Sequence, residues 1–197
     1  MSLQTIVFIG MSAVLVFWAV GAYNRLVRLK NAIANAFGQI DVQLKRRHDL
    51  ILNLVEAAKK YLKHELVMLE AVVSARNQAR SASERVVSHP GKVDAVIALA
   101  AAEQTLGNSL GHFFVLVEAY PELKTEQTVR ELIEELTSTE SQVGFSRQAY
   151  NDAVLDYNHA QSQFPAMLVA RLFGFAPSAA LQASATTAER QAVRIPM

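Results

Sequence analysis

Five residues whose side chains could do chemistry fall on regular helical positions along this chain. Arg47 interrupts an otherwise apolar helical stripe, and four others belong to a series that advances in steps of four and three residues: Glu140, Arg147, Tyr150 and Tyr157. Ionisable groups held between helices either fix the register of the helices or mark a functional site. These residues are therefore predicted to form the polar part of a helical core.

Charge pairing is the expected role of the two arginines. We hypothesise that Arg47 meets Glu140 and that Arg147 meets another carboxylate such as Asp41, because an unpaired charge in a helical seam is costly. The alternative is that these charges reach the bundle surface on their long side chains.

Catalytic and metal-binding motifs are absent from the sequence. The chain has no cysteine and only five scattered histidines, of which His159 with Asp156 comes nearest to the Glu-x-x-His spacing of a carboxylate-bridged metal centre. No His-Glu-x-x-His motif, phosphate-binding glycine loop or nucleophile elbow occurs. We therefore predict no catalytic, cofactor-binding or metal-binding residue and no enzymatic activity. The alternative is a sensor or an enzyme with a polar site between the helices, around the arginines, Glu140 and Tyr150.

Two Tyr-Asn pairs, Tyr150-Asn151 and Tyr157-Asn158, lie seven residues apart. Seven residues are about two helical turns, so both tyrosines lie on one face. A buried tyrosine commonly places its ring in the core and its hydroxyl on a hydrogen-bond partner. We expect both rings in the core, with the hydroxyls bonded to another helix, in preference to a cofactor site.

The elements that position these residues begin with an apolar amino-terminal segment. Residues 1–24 carry no charged side chain and residues 3–23 are almost wholly apolar. About 20 residues rising about 1.5 Å each cross the roughly 30 Å of bilayer hydrocarbon, and Trp18 and Tyr23 lie near one end, where such rings favour the interface. We predict a transmembrane helix over residues 3–23, with a cleaved signal peptide as the alternative.

The cations that follow this segment predict its orientation. Arg25, Arg28 and Lys30 come directly after it, and no Lys or Arg precedes it. Since Lys and Arg beside a span are retained in the cytoplasm, we expect the N-terminus outside and the rest of the chain in the cytoplasm. The inverse orientation stays open because a domain of this size can be translocated. With Trp18 and Tyr23, the three cations are the predicted membrane-interface residues.

The remaining composition indicates one helical domain that does not bind nucleic acid. The chain has 197 residues and a formal net charge of +1, whereas bulk nucleic-acid binding needs a concentrated basic surface. Apolar residues recur every three or four positions and no alternating strand pattern is sustained. An all-α fold with a single soluble domain is therefore predicted.

The first soluble helix is predicted from two apolar ladders. An eleven-residue spacing is three turns of a nearly straight helix, and it links Ile33, Leu44, Val55 and Leu66 in one ladder and Ile40, Ile51, Leu62 and Val73 in the other. This helix either continues to the stop at Pro90-Gly91 or breaks near His48-Asp49, where polar residues occupy the seam. The result is an antiparallel bundle of three long helices in the first case and of four in the second.

The end of the chain has two expected parts. Residues 165–175 are apolar with one cation, and they could cap the bundle, lie in the lipid interface or dock on a neighbouring subunit. Only a bundle with an even number of helices returns to the membrane, so lipid contact needs the four-helix alternative. Ala, Ser, Thr and Gln dominate residues 176–197, and we expect a mostly disordered tail there.

The chain contains the motifs QIDVQLKRR (39–47), DLI (49–51), NLVE (53–56), EAYPELK (118–124), TE (139–140), RQAYNDAV (147–154), YN (157–158), FP (164–165) and FGF (173–175). Over residues 23–175 these motifs resemble those of the LemA family. The resemblance implies a bacterial membrane protein with one N-terminal span and an antiparallel four-helix-type bundle over residues 24–164, and it brings no catalytic site. Leu52 stands where the family commonly has proline, which favours a continuous first helix in this chain.

We therefore expect a single-pass, membrane-anchored scaffold or interaction protein at the bacterial cytoplasmic (inner) membrane. Its expected partners are the lipid bilayer, further copies of itself and other membrane proteins, with neither nucleic acid nor a cofactor among them. Self-association is expected because a narrow bundle beside a membrane leaves an apolar face uncovered.

Overall fold

A computed structural model describes residues 3–181 of the chain, and it confirms the all-α prediction. Within these residues there is no strand, and six helices follow one another: α1 (Leu3–Lys59), α2 (Leu66–Ser88), α3 (Val93–Ala119), α4 (Pro121–Thr125), α5 (Gln127–Ser162) and α6 (Ala166–Leu172).

Helix α1 joins the apolar amino-terminal segment to the bundle without a break. It is 57 residues long, and within residues 3–181 it is the one helix long and apolar enough to cross a membrane. Its most apolar 18-residue stretch has no side chain buried inside the protein. Burial begins at Leu26 and recurs at Ile33 and Phe37, so the same helix leaves the apolar segment and enters the core.

The break near His48-Asp49, one of the two alternatives for the first soluble helix, is not present, because both residues lie inside α1. The chain instead turns between α1 and α2, over residues 60–65. Leu62 is fully buried in this turn, and its backbone N–H donates to the carbonyl of Ala58 at 3.0 Å. The turn contains neither proline nor glycine, so burial of Leu62 in the core, and not a local breaker, sets its place.

Four long helical segments form an antiparallel bundle. The second half of α1 packs against α5 and α2, and α2 packs against α3, while α4 makes the turn between α3 and α5. This arrangement is the four-helix alternative, reached through a turn at residues 60–65. Because the number of long segments is even, α5 ends beside the apolar segment of α1.

The core has two main parts along the bundle axis. The part far from the apolar segment is built from aliphatic and phenylalanine side chains, among them Ile51, Leu54, Leu69, Phe113 and Leu136. The nearer part adds two fully buried tyrosines and includes Ile33, Phe37, Leu44, Tyr150 and Tyr157. Below, these are the distal core and the proximal core.

The end of the described chain folds back along the bundle. Helix α6 packs on α1 and α5, where Val169 and Ala170 are buried. Of the expected tail, residues 182–197 lie outside the described residues, whereas residues 176–181 are extended and packed against α5, with Leu181 buried. This part differs from the expectation of disorder because α5 supplies hydrogen-bond partners that composition does not reveal. We call residues 176–181 the strap.

Candidate functional site

A polar cluster lies where the proximal and distal cores meet. The side chains of Arg47 and His48 are only 9% and 2% exposed, and both contact Glu103 of α3. Arg47 Nη1 donates to Glu103 Oε2 at 2.8 Å, and His48 Nε2 lies 3.2 Å from Glu103 Oε1. The carboxylate of Glu103 is therefore the shared partner of the two polar residues that interrupt the apolar stripe of α1.

The hypothesised pair of Arg47 and Glu140 is present only as a long contact. Arg47 Nη2 lies 4.0 Å from Glu140 Oε1, and the Glu140 side chain is 69% exposed. Because the carboxylate of this pair is exposed, water weakens an attraction over this distance. Glu103 is thus the principal partner of Arg47, and Glu140 lies at the bundle surface, as the alternative of long side chains expected.

The hypothesised pair of Arg147 and Asp41 does not form. Asp41 Oδ2 accepts from Lys45 Nζ at 2.6 Å, and Asp41 Oδ1 accepts from the hydroxyl of Ser83 on α2 at 3.1 Å. Within residues 3–181 no carboxylate oxygen lies within 4.0 Å of the Arg147 guanidinium. Arg147 instead faces a cavity, while Asp41 ties α1 to α2.

The cavity lies between α1, α3 and α5 and has a volume of about 350 Å³. Arg47, Glu103, Glu140 and Arg147 supply its charges, and Gln104 and Asn108 add neutral polar groups. The Nε of Arg47 is buried and has no hydrogen-bond partner among residues 3–181. Two guanidinium groups and two carboxylates give the cavity the means to hold a small charged molecule by hydrogen bonds.

Arg76 of α2 reinforces α1 beside this cluster. Its side chain is 6% exposed; its Nε donates to the backbone carbonyl of His48 at 3.1 Å, and its Nη2 lies 3.4 Å from Asp49 Oδ1. Burial lowers the pKa of Arg76 from its ordinary value, the neighbouring Arg80 lowers it further, and Asp49 acts in the opposite direction. With partners on α2 and α3, the polar run of α1 stays helical at the position where a break was one of the two alternatives.

The two Tyr-Asn pairs of α5 hold the strap by its backbone. The hydroxyls of Tyr157 and Tyr150 donate to the carbonyls of Ala176 and Ala179, at 2.9 and 3.0 Å. Both rings are fully buried, as expected, but their hydroxyl partners lie in an extended segment and not in another helix. Burial raises the pKa of Tyr150 to about 12, and it also raises the pKa of Tyr157.

Each asparagine of the pairs makes two hydrogen bonds to one strap residue. Asn158 donates to the carbonyl of Ser178 at 2.8 Å and accepts from its N–H at 2.9 Å. Asn151 makes the same two bonds with Leu181, at 3.0 and 2.8 Å. Seven helical residues rise about 10.5 Å, and three extended residues cover about 10 Å. The seven-residue repeat of α5 therefore matches a three-residue repeat of the strap.

The strap also contacts the turn between α2 and α3. The N–H of Ala179 lies 3.4 Å from the carbonyl of Gly91. Gly91 has a φ of +78°, and a Cβ at this position would lie 2.6 Å from the hydroxyl oxygen of Ser178. Glycine is required here both by the backbone conformation and by the close approach of the strap. Leu181, at the end of the strap, lines the polar cavity.

The predicted membrane-interface residues lie on α1, at the end of the bundle that is next to the apolar segment. Trp18 lines a small cavity with residues 164–166, and Tyr23 packs edge-on against Phe173 and Phe175, with ring centroids 4.9 and 5.5 Å apart. Arg25, Arg28 and Lys30 are exposed on the next two turns. Aromatic rings are thus followed directly by cations along α1, over residues 18–30.

Sequence reasoning missed Glu103, Arg76 and the asparagine partners in the strap. A signal for Glu103 exists, because it is the one carboxylate between Asp94 and Glu118 in the otherwise alanine- and leucine-rich α3. Within residues 3–181 no group of three or more His, Asp or Glu side chains could hold a metal ion. The site that the structure brings together is therefore an ion cluster, a cavity and a held strap.

Comparison with known proteins gives a family and a set of relatives. A family model described as the LemA family matches residues 36–196. The chain is 23% identical over 168 residues to magnetosome protein MamQ of Magnetospirillum gryphiswaldense, covering 78% of this chain and 62% of MamQ. It is 24% identical, with the same coverage, to MamQ 1 and MamQ 2 of Paramagnetospirillum magneticum. The chain thus spans 62% of the length of these curated relatives.

Proposed function

Since the chain belongs to the LemA family, we propose that it is a single-pass scaffold that associates with copies of itself and with other membrane proteins at the bacterial cytoplasmic membrane. The observation that carries this proposal is the unbroken course of α1 from the apolar segment into the core. A helix of 57 residues measures about 86 Å at about 1.5 Å per residue. It fixes the height and the direction of the bundle relative to the bilayer.

A face of α3 supports the self-association part of the proposal. Residues 97, 101, 104, 108, 111 and 115 follow one another in steps of four and three, and all six are exposed. Ile97 and Val115 are 61% and 71% exposed at the ends of this face, and a Cβ added at Gly111 would meet no atom within 4 Å. Between these apolar ends lie two small residues, Ala101 and Gly111, and two polar residues that also line the cavity, Gln104 and Asn108. The small residues permit close approach of another helix, and the amides can donate hydrogen bonds to it.

Disulfide crosslinking tests this face directly, because the chain has no native cysteine. We expect Ile97→Cys and Val115→Cys to form crosslinked dimers in native membranes under mild oxidation. Leu155→Cys is the matched control, since Leu155 is 54% exposed but lies on α5. Equal crosslinking at all three positions would reject the α3 face.

In-cell crosslinking followed by mass analysis tests the scaffold function as a whole. The expected result is a ladder of self-complexes together with defined membrane-protein partners. A chain that stays monomeric in cells and at every concentration in detergent, and that captures no reproducible partner, would overturn the proposal.

Cysteine labelling tests the orientation of the chain in the membrane, again because the chain has no native cysteine. The cations after the apolar segment favour a cytoplasmic bundle, so Val67→Cys in the exposed α2 region should react with a membrane-impermeant maleimide only after cells are opened. Labelling on intact spheroplasts would establish the inverse orientation.

The cavity between α1, α3 and α5 favours a second candidate function, a membrane-tethered sensor or enzyme. Three of the four residues expected around such a site, Arg47, Glu140 and Arg147, line the cavity, whereas the Tyr150 hydroxyl bonds to the strap. A screen of phosphorylated and carboxylated metabolites by thermal unfolding tests this candidate. A saturable rise in Tm that Arg147→Gln abolishes, and that Arg171→Gln on exposed α6 does not, would support it.

A further inference from the structure

We propose that residues 164–173 form a second membrane contact, a hydrophobic foot that lies in the lipid interface beside the span. This inference rests on the proposed membrane anchoring of α1, and it adds a site of its own. The occupant of the exposed face of the foot is the bilayer into which α1 inserts.

The level of the foot is set by its neighbours on α1. Phe164, Pro165 and Ala166 line a cavity together with Trp18, Gly21, Ala22 and Arg25 of α1. Trp18 and Arg25 are seven residues apart, which is a rise of about 10 Å along the helix. The foot therefore begins beside the last turns of the apolar segment, between the positions of Trp18 and Arg25 along α1.

The inner face of the foot is anchored to the bundle. Val169 and Ala170 are 5% and 2% exposed, and Ala170 shares a small core with Leu26 of α1 and Ala160 of α5. Phe173 packs edge-on against Tyr23. These contacts fix the foot to α1, so it follows the apolar segment to the bilayer.

The outer face of the foot is as apolar as the inner face. Leu168 and Leu172 are spaced by four residues, which places them on one side of α6, and Phe164 lies in the turn that precedes this helix. The side chains of Phe164, Leu168 and Leu172 are 79%, 55% and 79% exposed. Phe173 adds a fourth large apolar side chain that is 57% exposed. A helix that is apolar on both sides is normally buried in protein or lipid, and no part of residues 3–181 covers this face.

The surrounding charges favour lipid as the occupant. Arg171 is the one charged residue in the foot, and it is exposed at the same end of the molecule as Arg25, Arg28 and Lys30. Cations beside an apolar surface suit anionic headgroups above acyl chains. Interfacial helices bury their apolar faces about 5–10 Å into the headgroup and acyl boundary, which agrees with the level of Phe164.

Spin-label accessibility in vesicles of phosphatidylethanolamine and phosphatidylglycerol tests the foot with the full chain. Leu168→Cys and Leu172→Cys carry the label, Val14→Cys serves as the reference inside the span, and Val67→Cys, at a position 82% exposed and far from the span, serves as the water reference. We expect the ratio of oxygen to nickel-chelate collisions at positions 168 and 172 to be several-fold higher than at position 67 and to approach the ratio at position 14. An unchanged Tm in each variant checks that the fold is kept.

The outcomes separate the foot from the anchoring on which it rests. A water-like label at positions 168 and 172 with a lipid-like label at position 14 overturns the foot and leaves the span in place. Water-like labels at all three positions overturn both proposals. Spin–spin broadening at position 172 that disappears on dilution with unlabelled protein assigns this face to a second copy, which also overturns the foot.

Discussion

The distal and proximal cores are closed in different ways. In the distal core, Ile51, Leu54, Leu69, Phe113 and Leu136 fill the space with apolar groups. The proximal core is completed by polar groups, namely the Glu103 cluster and the strap held by the Tyr-Asn pairs. The difference shows that apolar packing stabilises one end of the bundle, whereas directed hydrogen bonds add to the packing at the other end. Substitutions should therefore act through cavities in the distal core and through unpaired polar groups in the proximal core.

The largest expected effect is a cavity in the distal core. Phe113 is fully buried, so Phe113→Ala should lower the free energy of unfolding by about 3–5 kcal/mol. Urea unfolding of the detergent-solubilised chain measures this loss. The control is Phe145→Ala, at a position 76% exposed, which should change it by less than about 0.5 kcal/mol. Similar losses in the two variants would contradict the assignment of Phe113 to the core.

The next largest effect distinguishes Glu103 from Glu140 as the main partner of Arg47. Glu103→Ala leaves Arg47 and His48 buried without their partner, and because Glu103 is 19% exposed we expect a loss of about 2–3 kcal/mol, below the cost for a fully buried pair. Glu140→Ala should cost less than about 0.5 kcal/mol. Double-mutant cycles measure the coupling of Arg47 with each carboxylate. Stronger coupling to Glu140 than to Glu103 would reverse this order.

The proximal core should also lose stability at alkaline pH. Burial favours neutral Tyr150 and raises its pKa from 10.0 to about 12, so its contribution is complete below pH 10 and is lost as the pH rises towards about 12. Urea unfolding between pH 9 and 12 should show a falling free energy of unfolding, with a smaller slope in Tyr150→Phe. Tyr61→Phe, at the turn of the distal core, keeps Tyr150 and should keep the slope. An identical slope in both variants would show that Tyr150 does not cause the loss of stability at alkaline pH.

The smallest expected effect is at the strap. Asn158→Ala removes two hydrogen bonds to Ser178 and should cost about 1–2 kcal/mol. Hydrogen exchange should report faster exchange at the Ser178 amide, because its acceptor is lost. Asn53→Ala, at an exposed position of α1, is the control. Unchanged protection of Ser178 would show that the asparagine does not hold the strap.

Much of the fold could be predicted from apolar spacing. The ladder members Ile33, Leu44 and Val55 are all buried, as are Ile40, Ile51 and Leu62, because an eleven-residue repeat keeps one face of a straight helix towards the core. The ladders did not predict the turn at residues 60–65, because their spacing continues through it. Leu62 keeps its place in the ladder and is buried there, but Leu66 is 52% exposed, so spacing alone did not show that the helix had ended.

The partners of the polar residues were less predictable than their positions. Tyr150 and Tyr157 are in the core as their spacing indicates, yet their hydroxyls reach backbone carbonyls of an alanine- and serine-rich segment. Every residue type has the same backbone carbonyl, so composition carries no sign of such a partner. Glu103 was missed for a related reason, since pairing across α1 and α3 depends on how far each helix is rotated about its axis.

With α1 spanning the bilayer as proposed above, its unbroken course over residues 3–59 would make the molecule a lever that pivots in the membrane. About 36 residues of α1 beyond the apolar segment, rising about 1.5 Å each, form an arm of about 54 Å. Spans tilt when their hydrophobic length and the bilayer thickness disagree. With such an arm, a tilt of about 10° would move the far turn sideways by about 9 Å, so a small change in bilayer thickness becomes a large displacement at the distant tip.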